Sequence, residues 1–156
     1  MEKSLIIIKP SGVQRGLVGQ VIDRFQRKGL QINGIKMIQL DEQILRVHYA
    51  HLIERPFFPL VLKSMMASPV IVMVVSGKDA IAVIRQMVGS TNGRQAAPGT
   101  IRGDFSMSGQ ENIVHASDSA ENAIIEIERF FSPEEIFEYT PALLQYQYSD
   151  DEIGID

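Results

Sequence analysis

Four short apolar, mostly β-branched runs separated by segments of helical period predict an α+β fold. The runs are SLIIIK (4–9), LQINGIKMIQL (30–40), PVIVMVVS (69–76) and NIVH (112–115). Helical segments follow the first, second, third and fourth runs. With insertions set aside the order is β-α-β-β-α-β, the split ferredoxin-like arrangement, which is one candidate among several α/β layouts. A chain of 156 residues with 45% apolar and 22% charged residues suits one domain with a full core.

The elements follow in order. Residues 4–9 read as a buried strand stopped by Pro10. Val18, Val21, Ile22 and Phe25 fall at i, i+3, i+4 and i+7, a helix that Gly29 closes as a C-cap. In the second strand Asn33-Gly34 is a bulge or a hairpin turn. Asp41 caps a helix running to about residue 51, and residues 55–68 are proline-broken and then helical. The run at 69–76 is continuously apolar, so it is expected to be buried on both faces. A helix over 78–89 ends at Gly89. Residues 90–111 hold four glycines and one proline and show no sustained period; such a stretch in a compact domain is functional or contains missed structure. Ala120, Ala123, Ile124, Ile127, Phe130 and Phe131 share one face of a helix over 119–131. Ser132, Pro133 and Glu135 carry the start signals of a last short helix. The tail SDDEIGID is acidic and expected to be mobile. No internal repeat or linker occurs.

Composition excludes several classes. The net charge of −4 does not suggest a nucleic-acid surface. With no cysteine there is no disulfide scaffold, thiolate metal site or cysteine nucleophile, and a reducing compartment fits. LIII (5–8) and VIVMVV (70–75) are far shorter than the ~20 residues that span a membrane. In the N-terminal MEKSLIIIKP one lysine precedes a four-residue apolar run, too short for a signal-peptide core, so a cytoplasmic location is expected. Neither G-x-x-x-x-G-K-[ST] nor G-x-G-x-x-G occurs, so neither of those phosphate cradles is available.

The chemistry centres on His115, where apolar Ile113-Val114 runs into the capping residues Ser117, Asp118 and Ser119. Strand ends before helices face clefts in many α/β folds. Without cysteine, histidine leads as a nucleophile near neutral pH. Glu126 lies seven residues after Ser119, nearly two helical turns, on the flank of the apolar stripe. From there it could orient an imidazole, as the third group of a triad does. A hydrogen-bonded structural histidine and a solvated glutamate remain the alternatives. Lys9 ends the first strand, Arg85 precedes the long loop, and Arg102 lies inside it with Thr91, Asn92, Gly99 and Thr100. These donors suit an anion such as phosphate, although exposed arginines are common. In ERPFF (54–58) both rings pack in the core, or one stays exposed as a platform for a base. His48 and His51 read as helix-surface residues, a two-histidine metal site being the weaker option.

IKPSGVQRGLVG (8–19), HYAHLIERPFF (48–58), PGTIRGDF (98–105) and above all NIVHASDS (112–119) resemble the nucleoside diphosphate kinase family. The resemblance runs from about residue 3 to residue 140, and N-x-x-H-x-S-D-S is its most specific segment. It implies a four-stranded antiparallel sheet flanked by helices, with residues 1–140 as the catalytic domain. It also implies γ-phosphate transfer from ATP and other nucleoside triphosphates to nucleoside diphosphates, ping-pong through a phosphohistidine, with Mg2+ held mainly by the nucleotide phosphates. Position by position, His115 becomes the nucleophile, oriented by Glu126 and Ser117. Lys9 and Asn112 contact the ribose and sugar–phosphate region, and Tyr49 lies near the transferred phosphate. Arg85, Thr91 and Arg102 bind the phosphates, and Phe57 stacks on the base beside Val61, giving broad base specificity. A homo-oligomer is expected, a hexamer rather than a tetramer, with Leu143, Leu144, Tyr146 and Tyr148 of the 141–156 extension covering a neighbour. No membrane or specific nucleic-acid partner is expected.

Two departures stand out. Gly93 occupies a position where the family usually has proline, in a loop that helps subunit contacts, so assembly is expected to be weaker or differently packed. Ala116 replaces the common glycine after the histidine, so the backbone there is either ordinary or slightly strained; activity is expected in either case. An inactive family member serving as an interaction module would have lost some of these residues. A histidine phosphocarrier charged by a protein partner would leave the nucleotide-binding residues unexplained.

Overall fold

The structure, a computed structural model, describes residues 1–153. β1 (Glu2–Ile8) is followed by α1 (Pro10–Gln14), α2 (Val18–Lys28), β2 (Gln31–Ile38), α3 (Glu42–His48), α4 (Phe58–Met65), β3 (Val70–Gly77) and α5 (Ala80–Val88). Next come α6 (Ile101–Phe105), β4 (Val114–Ala116), α7 (Ala120–Phe130) and α8 (Asp150–Ile153). The strands form one sheet in the order β2-β3-β1-β4 with every neighbour antiparallel. This is the ferredoxin-like arrangement, with β1 and β3 at its centre.

Alternation along the central strands divides the core into two layers. Ile6, Ile8, Ile71, Met73 and Val75 face Val21 and Phe25 of α2 and Ala80, Ile84 and Val88 of α5. Leu5, Ile7, Val70, Val72 and Val74 face Leu45, Phe58, Val61 and Met65 on one side and Ile127 and Phe130 of α7 on the other. Every residue of β3 is buried, as its unbroken apolar run predicts. Asn33 is a bulge, not a hairpin turn: the pairing of β2 with β3 shifts between Ile32 and Gly34.

Several expectations are corrected. The stretch 90–111 is not structureless, because Thr100 caps α6 by accepting from the Gly103 N–H at 3.0 Å. Five residues are too short to show a period. The helix after Asp41 ends at His48 and gives way to a 3-10 turn over Ala50–Leu52. The fourth strand begins at Val114, so Asn112 and Ile113 precede it. The buried stripe of α7 is Ala123, Glu126, Ile127 and Phe130, with Ala120 and Ile124 outside it; Ile124 is 61% exposed. Pro133–Glu135 is one 3-10 turn with its capping box in place. The acidic tail forms α8 through Ile153, and its last positions, 154–156, lie outside the described residues. Part of the extension folds back on its own chain: the Tyr148 hydroxyl accepts from the Lys78 N–H at 3.3 Å, while Leu143 and Tyr146 stay exposed.

The two departures have structural explanations. Ala116 has no positive φ, so its backbone is ordinary. Gly93 donates its N–H to Ser108 O at 3.0 Å, and a Cβ there would stand 2.2 Å from Ser106 O. Proline fails on both counts, having a ring and no donor. Gly93→Pro, although it restores the usual family residue, is expected to lower Tm by roughly 6 °C or more, since each kcal/mol is worth about 2–4 °C at this size. An unchanged or raised Tm in a calorimetric scan would contradict this packing.

Candidate active site

The site forms where β1 ends beside the start of β4. Beyond β1, the Lys9 N–H donates to Ile113 O at 2.8 Å. Ile113 has φ 72°, a left-handed conformation that a β-branched residue adopts at a cost of about 1–3 kcal/mol. Complete burial of its side chain against the first core layer anchors it. The reversal places Asn112 outside the strand, where it joins three segments. Its Oδ1 accepts from Lys9 Nζ at 2.7 Å, and its Nδ2 donates to Thr91 O and Gly109 O, each at 2.9 Å.

In β4, Val114 and Ala116 join the first core layer. Alternation therefore turns His115, paired with Ile7, to the opposite face, where α7 lies. Ser117 is fully buried, and its hydroxyl accepts from the Leu5 N–H at 3.0 Å, fixing the exit from β4. Ser119 caps α7 by accepting from the Asn122 N–H. Two turns later Glu126 Oε2 lies 2.6 Å from His115 Nε2. Glu126 sits in the centre of the buried stripe, not on its flank.

Charge settles the proton positions. Burial pushes the Glu126 carboxyl up, but the hydrogen bond and charge of His115, then His48 and the Ser117 hydroxyl, outweigh it and hold the group below its ordinary value. An ionised carboxylate only accepts, so His115 Nε2 carries the hydrogen, and in the neutral ring the lone pair is then on Nδ1. Burial pushes the Tyr49 hydroxyl up, helped by Glu126, so it stays protonated. Burial and the neighbouring Arg102 bring Lys9 down to about 8, against the pull of Glu111. Burial and then Arg85 bring Arg102 down to about 10. Neither arginine forms a salt bridge among the described residues. Cations that lower one another in this way form a ready place for an anion.

Arg102 donates to Gly89 O (3.0 Å), Val114 O (2.7 Å) and Asn112 O (3.3 Å), while Arg85 and Thr91 are exposed at the rim. Lys9, Tyr49, Thr91 and Asn112 share a cleft of about 320 Å³ with Phe57 and Val61. The two adjacent aromatics part company: Phe58 is 3% exposed in the core and Phe57 is 44% exposed. Three larger hollows open elsewhere, beside Arg24 and Asp104, beside Ile124 and Phe131, and beside Lys63 and Glu111. None of them is lined by Lys9, Tyr49 or Asn112, the residues gathered around the strand that carries His115, so chemistry and not size selects the site.

His48 corrects the expectation of a helix-surface residue. It is buried and stands edge-on to His115, with ring centroids 4.7 Å apart at 75°. Its Nδ1 lies 2.9 Å from Arg129 Nη1 and 3.7 Å from Glu126 Oε2. The Glu126 approach is not an ion pair. Burial, with the charges of His115, Arg129 and Lys9, brings the His48 imidazole down to about 3 against the pull of Glu126. Its place three residues after buried Leu45, on the same helical face, was the available signal. Nothing in the sequence pattern singled out Arg129. His51 is exposed. His48, His115 and Glu126 do bring ligand atoms within 4.8 Å of one another. Magnesium, however, demands oxygen ligands, and these nitrogens already have partners, so the set does not fit that ion.

The model of the nucleoside diphosphate kinase family matches residues 2–136. A nucleoside diphosphate kinase of Parabacteroides distasonis is 57% identical over 152 residues, covering 97% of this chain and 99% of that protein. The corresponding protein of Pyrococcus horikoshii is 49% identical over 144 residues, covering 90% of this chain and 92% of that one. The solved structure of a halophilic nucleoside diphosphate kinase from Halobacterium salinarum in complex with CDP superposes with a TM-score of 0.92 at 36% identity, covering 95% of this chain and 99% of that one. A histidine–carboxylate pair beside a cationic cleft, on a ferredoxin-like sheet, thus coincides with similarity along nearly the whole chain, and the chain belongs to the nucleoside diphosphate kinase family.

Proposed function

We propose that the chain moves the γ-phosphate of a nucleoside triphosphate to a nucleoside diphosphate in two half-reactions through His115. The observation that carries this reading is the 2.6 Å contact of His115 Nε2 with Glu126, which leaves Nδ1 as the nucleophile. In the first half-reaction the Nδ1–P bond forms and the bond from phosphorus to the bridging oxygen breaks, releasing a nucleoside diphosphate. In the second, a different nucleoside diphosphate takes the phosphoryl group back. Phosphoryl transfer needs positioning and charge neutralisation more than further covalent chemistry. Lys9, Arg85 and Arg102 supply the charge, Thr91 a rim donor, and Asn112 holds Lys9 beside the sugar–phosphate region. Tyr49, protonated, donates near the transferred phosphate. Phe57 and Val61 offer the base a face without a hydrogen-bond code, which supports broad base specificity. Mg2+ would be held mainly by the nucleotide phosphates and would add positive charge there, beside that of Lys9, Arg85 and Arg102.

The residues beyond 140 support a subunit contact, because Leu143 and Tyr146 are exposed apolar surface. We read the assembly as a hexamer in preference to a tetramer, checked by light scattering. A cytoplasmic location fits a chain without cysteine. Among the described residues no helix is long and apolar enough to cross a membrane. To test the reading, the protein is incubated with γ-labelled ATP and then given GDP. Acid-labile label on His115 that chases into GTP is expected; label that never reaches the protein, or never leaves it, refutes it.

Lys9 gives the site a pH dependence of defined sign. In the free protein its ammonium loses its proton as pH rises through about 8, so the affinity for ADP falls, by up to about tenfold between pH 7 and 9 if the protonated form binds. Stability moves the other way. Between about 8 and the ordinary lysine value the unfolded chain holds a proton that the folded chain has released, so folding becomes more favourable as pH rises. Calorimetric titration and denaturant unfolding across this window check both limbs. A Lys9→Met protein that keeps the same affinity change would assign it elsewhere.

A further inference from the structure

Two imidazoles approach one carboxylate oxygen. Glu126 Oε2 is 2.6 Å from His115 Nε2 and 3.7 Å from His48 Nδ1. A hydrogen on His48 Nδ1 would point at Glu126 and compete with His115 for it. The two rings already touch edge to face, and Phe130 and Tyr49 hold His48 from other sides at 5.5 and 4.7 Å. Arg129 decides where the hydrogen sits. It lies three residues after Glu126, on the same side of α7, and its Nη1 is 2.9 Å from His48 Nδ1. A guanidinium has donors and no acceptor and does not give up its proton. The contact is a hydrogen bond only if His48 Nδ1 is unprotonated and accepts it.

We infer that Arg129 is a positioning residue that fixes His48 as the neutral Nε2–H tautomer and so keeps Glu126 for His115 alone. This rests on the proposed transfer through His115. It adds a role for buried His48 and half-buried Arg129, which the transfer does not use, and it explains how a carboxylate beside two histidines serves one of them. With Glu126 undivided, the His115 ring stays in the orientation that presents Nδ1. Without Arg129, His48 can place a hydrogen on Nδ1, either by changing tautomer or by taking up a proton. The charged and titratable groups around it are His115 of β4, Glu126 and Arg129 of α7, Lys9 beyond β1, and the adjoining Tyr49. With Arg129 removed, Glu126 is the anion that remains in that set, and it would draw the new hydrogen toward itself.

The test reads both the proton and the reaction. Nitrogen–proton correlation spectra of the imidazoles in the wild-type protein without nucleotide are expected to show His48 neutral, protonated on Nε2 and bare on Nδ1. In Arg129→Leu a hydrogen on His48 Nδ1 is expected. The single-turnover rate of His115 labelling should fall about tenfold at pH 7, and the acid limb of its pH profile should move to higher pH, with ADP affinity unchanged. Arg129→Lys, which returns a cationic donor, should recover most of the rate and the original limb. A wild-type spectrum with the hydrogen on His48 Nδ1 overturns the inference even if Arg129→Leu does not fold. So does an Arg129→Leu profile superimposable on the wild type. Failure of wild-type His115 to accept label would instead refute the transfer reading, while the spectrum would still report the His48 tautomer.

Discussion

Replacing His115 with asparagine is expected to abolish exchange between ATP and GDP while leaving a folded protein that still binds nucleotide. An amide nitrogen is not a nucleophile, and a two-step transfer has no second acceptor at this position. Asparagine keeps polarity and most of the volume. The imidazole stands in the middle of a short strand, Val114–Ala116, and is only half-buried, so little packing is lost. Phe57, Lys9, Arg85, Thr91 and Arg102 are untouched, and ADP should bind with near wild-type affinity. Residual exchange above background, or label on His48 or His51, would move the nucleophile elsewhere.

Arg102→Met should be the most damaging change that leaves the nucleophile in place. The guanidinium spends Nε, Nη1 and Nη2 on the carbonyls of Asn112, Gly89 and Val114, which leaves two of its five N–H groups for a phosphate. Hydrogen bonds to a charged donor are worth about 1.5–3 kcal/mol each, so losing this set should lower Tm by roughly 10 °C or more. Loss of one preorganised donor at developing charge costs about 10²–10³ in rate. We expect kcat/KM to fall by about 10³, because the strand carrying His115 also loses its tether. Arg102→Lys separates the two roles: it keeps the charge but cannot reach three diverging carbonyls, so phosphate affinity should partly return while Tm stays low. If both Tm and activity survive Arg102→Met, the residue has neither role.

The parts legible in the sequence were those set by local pattern. β3 announced itself by an unbroken apolar run, and Glu126 by its spacing from the helix cap. The parts that were not legible depend on which groups meet across the sheet. Apolar preference placed Ile124 in the α7 stripe, yet the inward position next to Ile127 belongs to Glu126, which pays for its burial with the imidazole it holds. His48 looked like a surface residue because its partners, Arg129 and His115, lie more than sixty residues away. Phe57 and Phe58 are chemically identical, and only the direction of α4 decides which one faces the cleft. The left-handed Ile113 was beyond pattern reading, since β-branched residues avoid that conformation and tertiary packing alone holds it there.

The strand order has a consequence for how the chain is made. β1 is made before the other three strands, but it belongs in the middle of the sheet, between β3 and β4. Its LIII core has no partner on either side until residues 70–77 emerge, and none on the β4 side until residues 114–116 do. At about 5–20 residues per second, that second edge stays open for roughly 5–20 s. Throughout this interval a short, strongly β-forming segment is available to any other nascent strand. Glu2 and Lys3 before it and Lys9 after it flank the run with charge, the placement that discourages stacking between unfinished chains. Lys9 would thus guard the first strand during synthesis and face the phosphate in the finished site.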